Sequence, residues 1–182
     1  MVLGLVEFYS AGPRPFLIFK NWRKLNFNGK IQPMIDLVFK NYTSQKAPRE
    51  TFFKRILGTG IRELKVKDKN IEVSLSLVGE AKIKELNKKY RGKNEVTDVL
   101  SFPLEESRLK KHDILPLGDI FICLSFAVKE AARQNISLEK ELAWLTVHGF
   151  LHLLGYDHEN SVSEAIKMEK IERNILHRIN YK

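Results

Sequence analysis

The sequence has little cysteine and no long apolar run, and each absence excludes a class of protein. One cysteine in 182 residues cannot form an internal disulfide, so a disulfide scaffold is excluded and a reducing compartment is favoured. No uninterrupted apolar stretch approaches the roughly 18–20 residues that a membrane span requires. The apolar N-terminus lacks a basic leader and a small-residue cleavage site, which predicts no signal peptide. We therefore expect a cytoplasmic protein without a membrane partner.

Glycine and proline are sparse, and no linker rich in them divides the chain. The sequence has 10 glycines and 6 prolines, and its length suits one domain with its own core. A content of 43% apolar and 29% charged residues argues against wholesale disorder. We predict a single domain over residues 1–182, in which residues 1–30 form an irregular segment with a short strand near Phe16–Phe19.

The charge is basic and unevenly distributed. The chain carries 31 Lys and Arg against 22 Asp and Glu, a net charge of +9. Residues 1–70 hold 14 basic and 5 acidic side chains, whereas residues 71–182 hold 17 of each. Such asymmetry indicates either a polyanionic partner such as nucleic acid or a well-solvated basic surface, and charge alone does not decide between them.

Hydrophobic periodicity predicts an α+β fold, with strands in the first half and helices around them. Ser137 is expected to cap one helix and Gly155 to end it, and Ser163 to cap the last helix. The polar residues 105–116 are predicted to form a loop. Helices are expected near 32–43, 47–66, 80–90, 125–134, 138–154 and from Ser163 to about Ile179, and strands at 72–78, 96–102 and 119–124.

Three of the five histidines lie within eleven residues, at His148, His152 and His158. His148 and His152 are four residues apart, so a helix projects both imidazoles from one face, within reach of one Zn²⁺ at about 2.0–2.1 Å. Gly155 lets the chain reverse and return His158 as a third ligand. Three neutral nitrogen ligands with an open fourth position are typical of catalytic zinc. The spacing therefore predicts one bound Zn²⁺ rather than scattered histidines, although another transition ion could occupy these ligands.

The same spacing is that of the metzincin zinc proteases, with one difference. Those proteases carry Glu as general base directly after the first histidine, and here the position is Gly149. The metal-site prediction stands without that Glu, whereas the protease assignment weakens. Asp157, beside His158, either orients a ligand or the metal-coordinated water, or forms the turn after Gly155.

The segment from His148 to His158 resembles the H-G-x-L-H-L-x-G-Y-D-H signature of the YbeY family, bacterial endoribonucleases that mature ribosomal RNA. The resemblance covers roughly residues 71–160. Its departures, Asn94 and Val96 where Asp and Pro are usual, concern local loop shape. Three further segments are similar to family blocks: Leu86 to Lys93, Thr97 to Pro103, and Leu117 to Ile120.

The resemblance implies a fold, a reaction and one further residue. The implied fold is a single α+β domain with a small mixed sheet of about four strands, five or six helices and a His₃ zinc site in a cleft. The implied activity is metal-dependent RNA hydrolysis in the maturation of ribosomal RNA 3′ ends and in ribosome quality control, with the small subunit as partner and no DNA. The family's important arginine falls on Arg91, whose guanidinium could hold a phosphate bidentately. The implied catalytic set is Arg91, His148, His152 and His158.

Two alternatives stay open at this stage. A metallohydrolase of another substrate class, such as a peptidase, is suggested by the zinc-protease spacing and opposed by Gly149. A ribosome-associated factor with a structural zinc would explain the basic surface without catalysis. In the nuclease, either water or the ribose 2′-hydroxyl could be the nucleophile.

Overall fold

The computed structural model describes residues 34–66, 70–104, 114–156 and 161–181, which contain four strands and five helices. This confirms the predicted α+β class. The irregular segment 1–30, the strand Phe16–Phe19, Asp157 and His158 lie outside the described residues. In chain order the elements are β1 (Ile35–Asn41), α1 (Glu50–Glu63), β2 (Asn70–Val78), α2 (Glu80–Arg91), β3 (Val99–Pro103), β4 (Ile114–Cys123), α3 (Leu124–Gln134), α4 (Leu138–Leu153) and α5 (Val162–Arg178).

The four strands form one mixed sheet in the order β1-β2-β4-β3. β1, β2 and β4 run parallel, and β3 pairs antiparallel with β4. Gly118 makes the β3–β4 pairing possible, because its φ is +134° and a Cβ there would collide with the carbonyl group of Phe102. The mixed sheet confirms the architecture that the resemblance implied.

Side chains of β4 alternate between two faces of the sheet, and each face has its own helices. Ile120 and Ile122 pack into the main core with Phe53 of α1 and Phe150 of α4. Phe121 packs on the other side, in the cluster that contains buried residues of α2. Helix α5 packs against α4 and α1 as an outer layer. The helices α1 and α4 therefore cover one face, and α2 covers the other.

The helix predicted near residues 32–43 is wrong, because this segment forms strand β1. Ile35 and Leu37 are buried whereas Asp36 and Val38 are exposed, which is the period-two pattern of a strand. The strand pairs in parallel with β2 from Ile71 onward. The backbone groups on its paired edge bond a strand more than thirty residues away, which local periodicity does not report.

Several predicted boundaries also shift. Strand β3 begins at Val99 rather than 96, and β4 begins at Ile114, inside the predicted loop 105–116. The cap of α5 is Ser161 rather than Ser163, since the Ser161 hydroxyl accepts the Glu164 N–H at 3.1 Å. The Ser137 cap of α4 is confirmed by the Lys140 N–H, which its hydroxyl accepts at 3.1 Å.

Residues 33–182 form one compact unit by their internal contacts. The assignment of the whole chain to a single domain stays a prediction. None of the described helices is long and apolar enough to cross a membrane.

Candidate metal centre

Helix α4 is mostly buried and carries one accessible stripe. Ten of its sixteen residues are buried, so it lies inside the fold rather than on its surface. Trp144, His148 and His152 follow each other at intervals of four, and all three are half-buried. Residues four apart share a helix face, so this stripe is where the helix can meet a ligand.

The two helical histidines converge as the spacing predicted. Their Nε2 atoms lie 3.1 Å apart, and the ring centroids are 4.7 Å apart with the rings at 75°. Two nitrogen ligands of one tetrahedral zinc ion, at bonds of about 2.0–2.1 Å, stand about 3.3 Å apart. The pair therefore fits the geometry of two ligands to one ion.

The third predicted ligand, His158, stays a prediction. Within the described residues no group of three His, Cys, Asp or Glu side chains could hold a metal ion, and His158 lies outside them. The predicted end of the helix at Gly155 is confirmed, since Gly155 has a left-handed φ of +83°. Its N–H bonds the His152 carbonyl at 3.0 Å, and the Tyr156 N–H bonds the Leu151 carbonyl at 3.1 Å. The chain thus leaves α4 through a Schellman turn directly after the histidine pair.

Two neighbours of His148 are not predicted from the sequence. Glu172 of α5 is only 7% exposed, and its Oε1 lies 2.8 Å from Nδ1 of His148. The ring of Trp144 stacks on His148 with centroids 5.1 Å apart and the ring planes at 28°. A signal for Glu172 exists in hindsight. It falls on the buried stripe of α5 with Met168 and Ile175, where an acidic residue is rare unless it is paired.

Gly149 brings α4 close to the sheet. A Cβ at this position would lie 2.9 Å from Ser101 Oγ of β3 and 3.0 Å from Ile120 Cγ2 of β4. The position that holds the general base of the zinc proteases is therefore packed against the sheet, with no room for a glutamate side chain. This geometry is a second argument against the peptidase alternative.

Arg91 is the last residue of α2, whose buried residues pack on the face of the sheet opposite to α4. Its side chain is exposed. The helix ends at Gly92, whose φ is +70°, and the side-chain amide of Asn87 donates to the Glu95 carbonyl at 3.0 Å. From here the chain leads to β3, whose Ser101 faces Gly149. The histidine pair and Arg91 therefore lie on helices that cover opposite faces of the sheet. Strand β3 contacts both helices, because Ser101 faces α4 and Leu100 packs with α2.

Cys123 is buried, which is common for a free cysteine that packs as a small hydrophobe. His177 is exposed on α5, and His112 lies outside the described residues. Gly58, Thr59 and Gly60 lie inside helix α1, so they form no phosphate loop.

The chain is similar to a family of RNA-cutting enzymes. Residues 38–180 match the family described as "Endoribonuclease YbeY". Proteins of that name from Buchnera aphidicola and Mesoplasma florum are 38% and 37% identical to the chain. The first alignment covers 82% of this chain and 92% of the relative, and the second covers 81% and 90%.

A solved structure has the same fold. The solution structure of TM1509 from Thermotoga maritima matches with a TM-score of 0.52 and 29% identity, and the match covers 80% of this chain and 92% of that one. The family match also starts at residue 38, well before the region 71–160 in which the motifs were found. The resemblance seen in the sequence is confirmed and extended.

Proposed function

Because the chain belongs to the endoribonuclease YbeY family, we propose that it is a metal-dependent endoribonuclease with one Zn²⁺ held by His148, His152 and His158. The observation that carries this proposal is the convergence of the His148 and His152 Nε2 atoms at 3.1 Å on the accessible stripe of α4. The preference for zinc rests on the imidazole donors.

The residues divide the work between holding the metal and holding the RNA. Held by these histidines, a zinc ion would supply Lewis-acid chemistry and would lower the pKa of a coordinated water towards about 7. The exposed guanidinium of Arg91 binds a phosphate oxygen pair and offsets the charge that grows during phosphodiester cleavage. For Asp157 both roles that the sequence allows are kept: orienting a metal ligand, or forming the turn after Gly155.

We propose ribosomal RNA as the substrate, with maturation of its 3′ end on the small subunit in the cytoplasm. The support is the family resemblance together with the basic excess before residue 71. Part of that excess is visible on α1, where Lys54, Arg55 and Arg62 are exposed. A surface of this kind follows a phosphate backbone without reading its sequence.

The test compares His152→Ala with His177→Ala, which removes an exposed histidine of α5. We expect about one zinc ion per wild-type chain. The His152→Ala variant should lose the zinc, and its cleavage of structured RNA should fall by more than about 100-fold. The His177→Ala variant should keep both. Equal cleavage by metal-free protein would refute the proposal.

Two outcomes would favour the alternatives instead. Peptide turnover that follows zinc occupancy would support a peptidase. A fourth protein ligand in a zinc-loaded structure would close the site and support a structural zinc, because catalysis needs an open position.

A further inference from the structure

The imidazole of His148 is held by two side chains from two different helices. Its Nδ1 lies 2.8 Å from Oε1 of Glu172 on α5, and one ring face is covered by Trp144, one turn earlier on α4. Its Nε2 faces His152. We propose that Glu172 is a positioning residue that fixes the tautomer and orientation of His148 and thereby couples metal retention to the docking of α5. This inference rests on the proposed function only in taking His148 as a metal ligand.

The position of the proton on the imidazole ring decides which nitrogen of His148 can bind a metal. A neutral imidazole carries one N–H, and an ionised carboxylate can only accept a hydrogen bond. The short contact with Glu172 therefore places the hydrogen on Nδ1, which donates to Oε1. The lone pair is then on Nε2, the atom that points towards His152. Without Glu172 both tautomers are accessible, and one of them has no lone pair at the metal position.

Glu172 is held in place by the packing of α5 against α4. Its neighbours on the inward side of α5, Met168 and Ile175, are buried in one cluster with Val147 and Leu151 of α4. Val147 precedes His148 in sequence, so the packing that seats α5 lies directly beside the ligand. Glu172 is only 7% exposed, so the packed helices leave its carboxylate little access to solvent. The carboxylate position is therefore set by helix packing.

Metal binding and the docking of α5 are linked thermodynamically through His148. If docked α5 favours the ligating form of His148, then a metal on His148 favours docked α5 by the same factor. The two elements are joined in sequence through the segment that carries His158. Zinc should therefore protect the backbone of α5, although α5 contributes no predicted metal ligand.

The experiment compares Glu172→Leu and Glu172→Gln with the control Glu169→Gln on the full chain. Glu169 is on the exposed side of the same helix and pairs with Arg173 at 2.6 Å. Zinc affinity is measured by competition with a chromophoric chelator. We expect a loss of about 10–100-fold for Glu172→Leu. A smaller loss is expected for Glu172→Gln, whose amide oxygen can still accept from Nδ1–H, and none for the control.

Two readouts separate positioning from general structural support. Nitrogen NMR of the histidine rings in metal-free protein should show the Nδ1–H tautomer of His148 in wild type and a mixture in Glu172→Leu. Hydrogen exchange should slow in α5 when zinc is added to wild type, and less so in Glu172→Leu. If Glu172→Leu does not fold, the wild-type tautomer and the Glu172→Gln affinity decide the question.

The proposal is overturned if metal-free wild type holds His148 as the Nε2–H tautomer, or if folded Glu172→Leu binds zinc as wild type does. Its failure is distinct from failure of the proposed function. If zinc-loaded wild type leaves RNA intact and Glu172→Leu still loses zinc affinity, the nuclease activity is refuted and the positioning role of Glu172 is supported. RNA cleavage with no effect of Glu172 on zinc refutes the positioning alone.

Discussion

Helices α4 and α2 lie on opposite faces of one sheet and are built in opposite ways. Ten of sixteen residues of α4 are buried, against three of twelve in α2. α4 is mainly apolar and presents its histidines along one stripe, whereas the last turn of α2 carries Lys88, Lys89 and Arg91. The helix that carries two ligands of the proposed metal site is embedded in the fold, and the helix that ends in the proposed phosphate-binding residue is largely solvated.

The difference follows from what each ligand requires. A metal site needs donors held to within a fraction of an ångström by neighbouring side chains, and burial supplies those neighbours. A phosphate of a flexible polymer is met by a long cationic side chain in water, for which exposure is an advantage. If the two helices have separate tasks, substitutions on one should leave the task of the other unchanged.

The largest effect is expected at Arg91. Arg91→Ala should lower RNA cleavage about 100-fold or more, because a charge-stabilising donor is lost, while zinc content stays at the wild-type level. Arg91→Lys should recover only part, since a point charge cannot bind a phosphate bidentately. Lys88→Ala, one turn earlier and also exposed, is the control, and should cleave nearly as well as wild type. If Arg91→Ala lost zinc as well as activity, metal binding and phosphate binding would not be separate tasks of the two helices.

The next effect is on stability, at the closest approach of α4 to the sheet. Gly149→Ala should lower the free energy of unfolding by about 1–3 kcal/mol, because its Cβ meets Ser101 Oγ. Adding Ser101→Ala should restore part of the loss in urea unfolding. Gly58→Ala in α1 is the matched control, where the nearest atom is 3.8 Å away, and it should stabilise by about 0.5–1 kcal/mol. A Gly149→Ala variant as stable as wild type would contradict the close packing.

A smaller effect is expected on the basic surface of α1. Lys54→Glu and Arg55→Glu should each weaken RNA binding several-fold and reduce its salt dependence, by a slope of about 0.7 for each cation lost. Zinc content should not change. Lys170→Glu reverses an exposed charge on α5, in the part of the chain with balanced charge, and should change binding less. Equal effects at both places would show a response to net charge alone.

The smallest effect is expected at the first turn of α4. Burial raises the pKa of Glu141, with Glu130 and Asp98 adding to the shift. Because the folded-state pKa is above the unfolded value, ionisation of Glu141 opposes folding as pH rises through the folded pKa. Glu141→Gln should therefore raise Tm near pH 7 by about 1–3 °C, and the gain should vanish below about pH 4. An increase in Tm that persists below about pH 4 would show that it does not come from removing the ionised form of Glu141.

Sequence patterns predicted the elements whose signal is local. The stripe of Phe53, Ile56 and Leu57 predicted α1, and strict alternation predicted β2. Strand β1 was missed because its outward residue Val38 is also apolar, which blurs the alternation, and because its partner strand is remote. The predicted cap at Ser163 was wrong by two residues, since Ser161 is equally suited to that position.

The candidate site divides in the same way. By itself, the sequence determined that His148 and His152 share a face, because four residues make about one helical turn whatever surrounds them. The Schellman turn at Gly155 was equally local, since only a residue that tolerates positive φ ends a helix in this way.

The tertiary structure alone decided which side chains surround that pair. Glu172 is twenty-four residues from His148 and reaches it only because an apolar stripe docks α5 on α4. The need for glycine at position 149 comes from strands β3 and β4, which leave no space for a Cβ. The placement of Arg91 depends on the face of the sheet against which α2 packs. These contacts depend on packing between distant elements, which the spacing of residues along one helix does not encode.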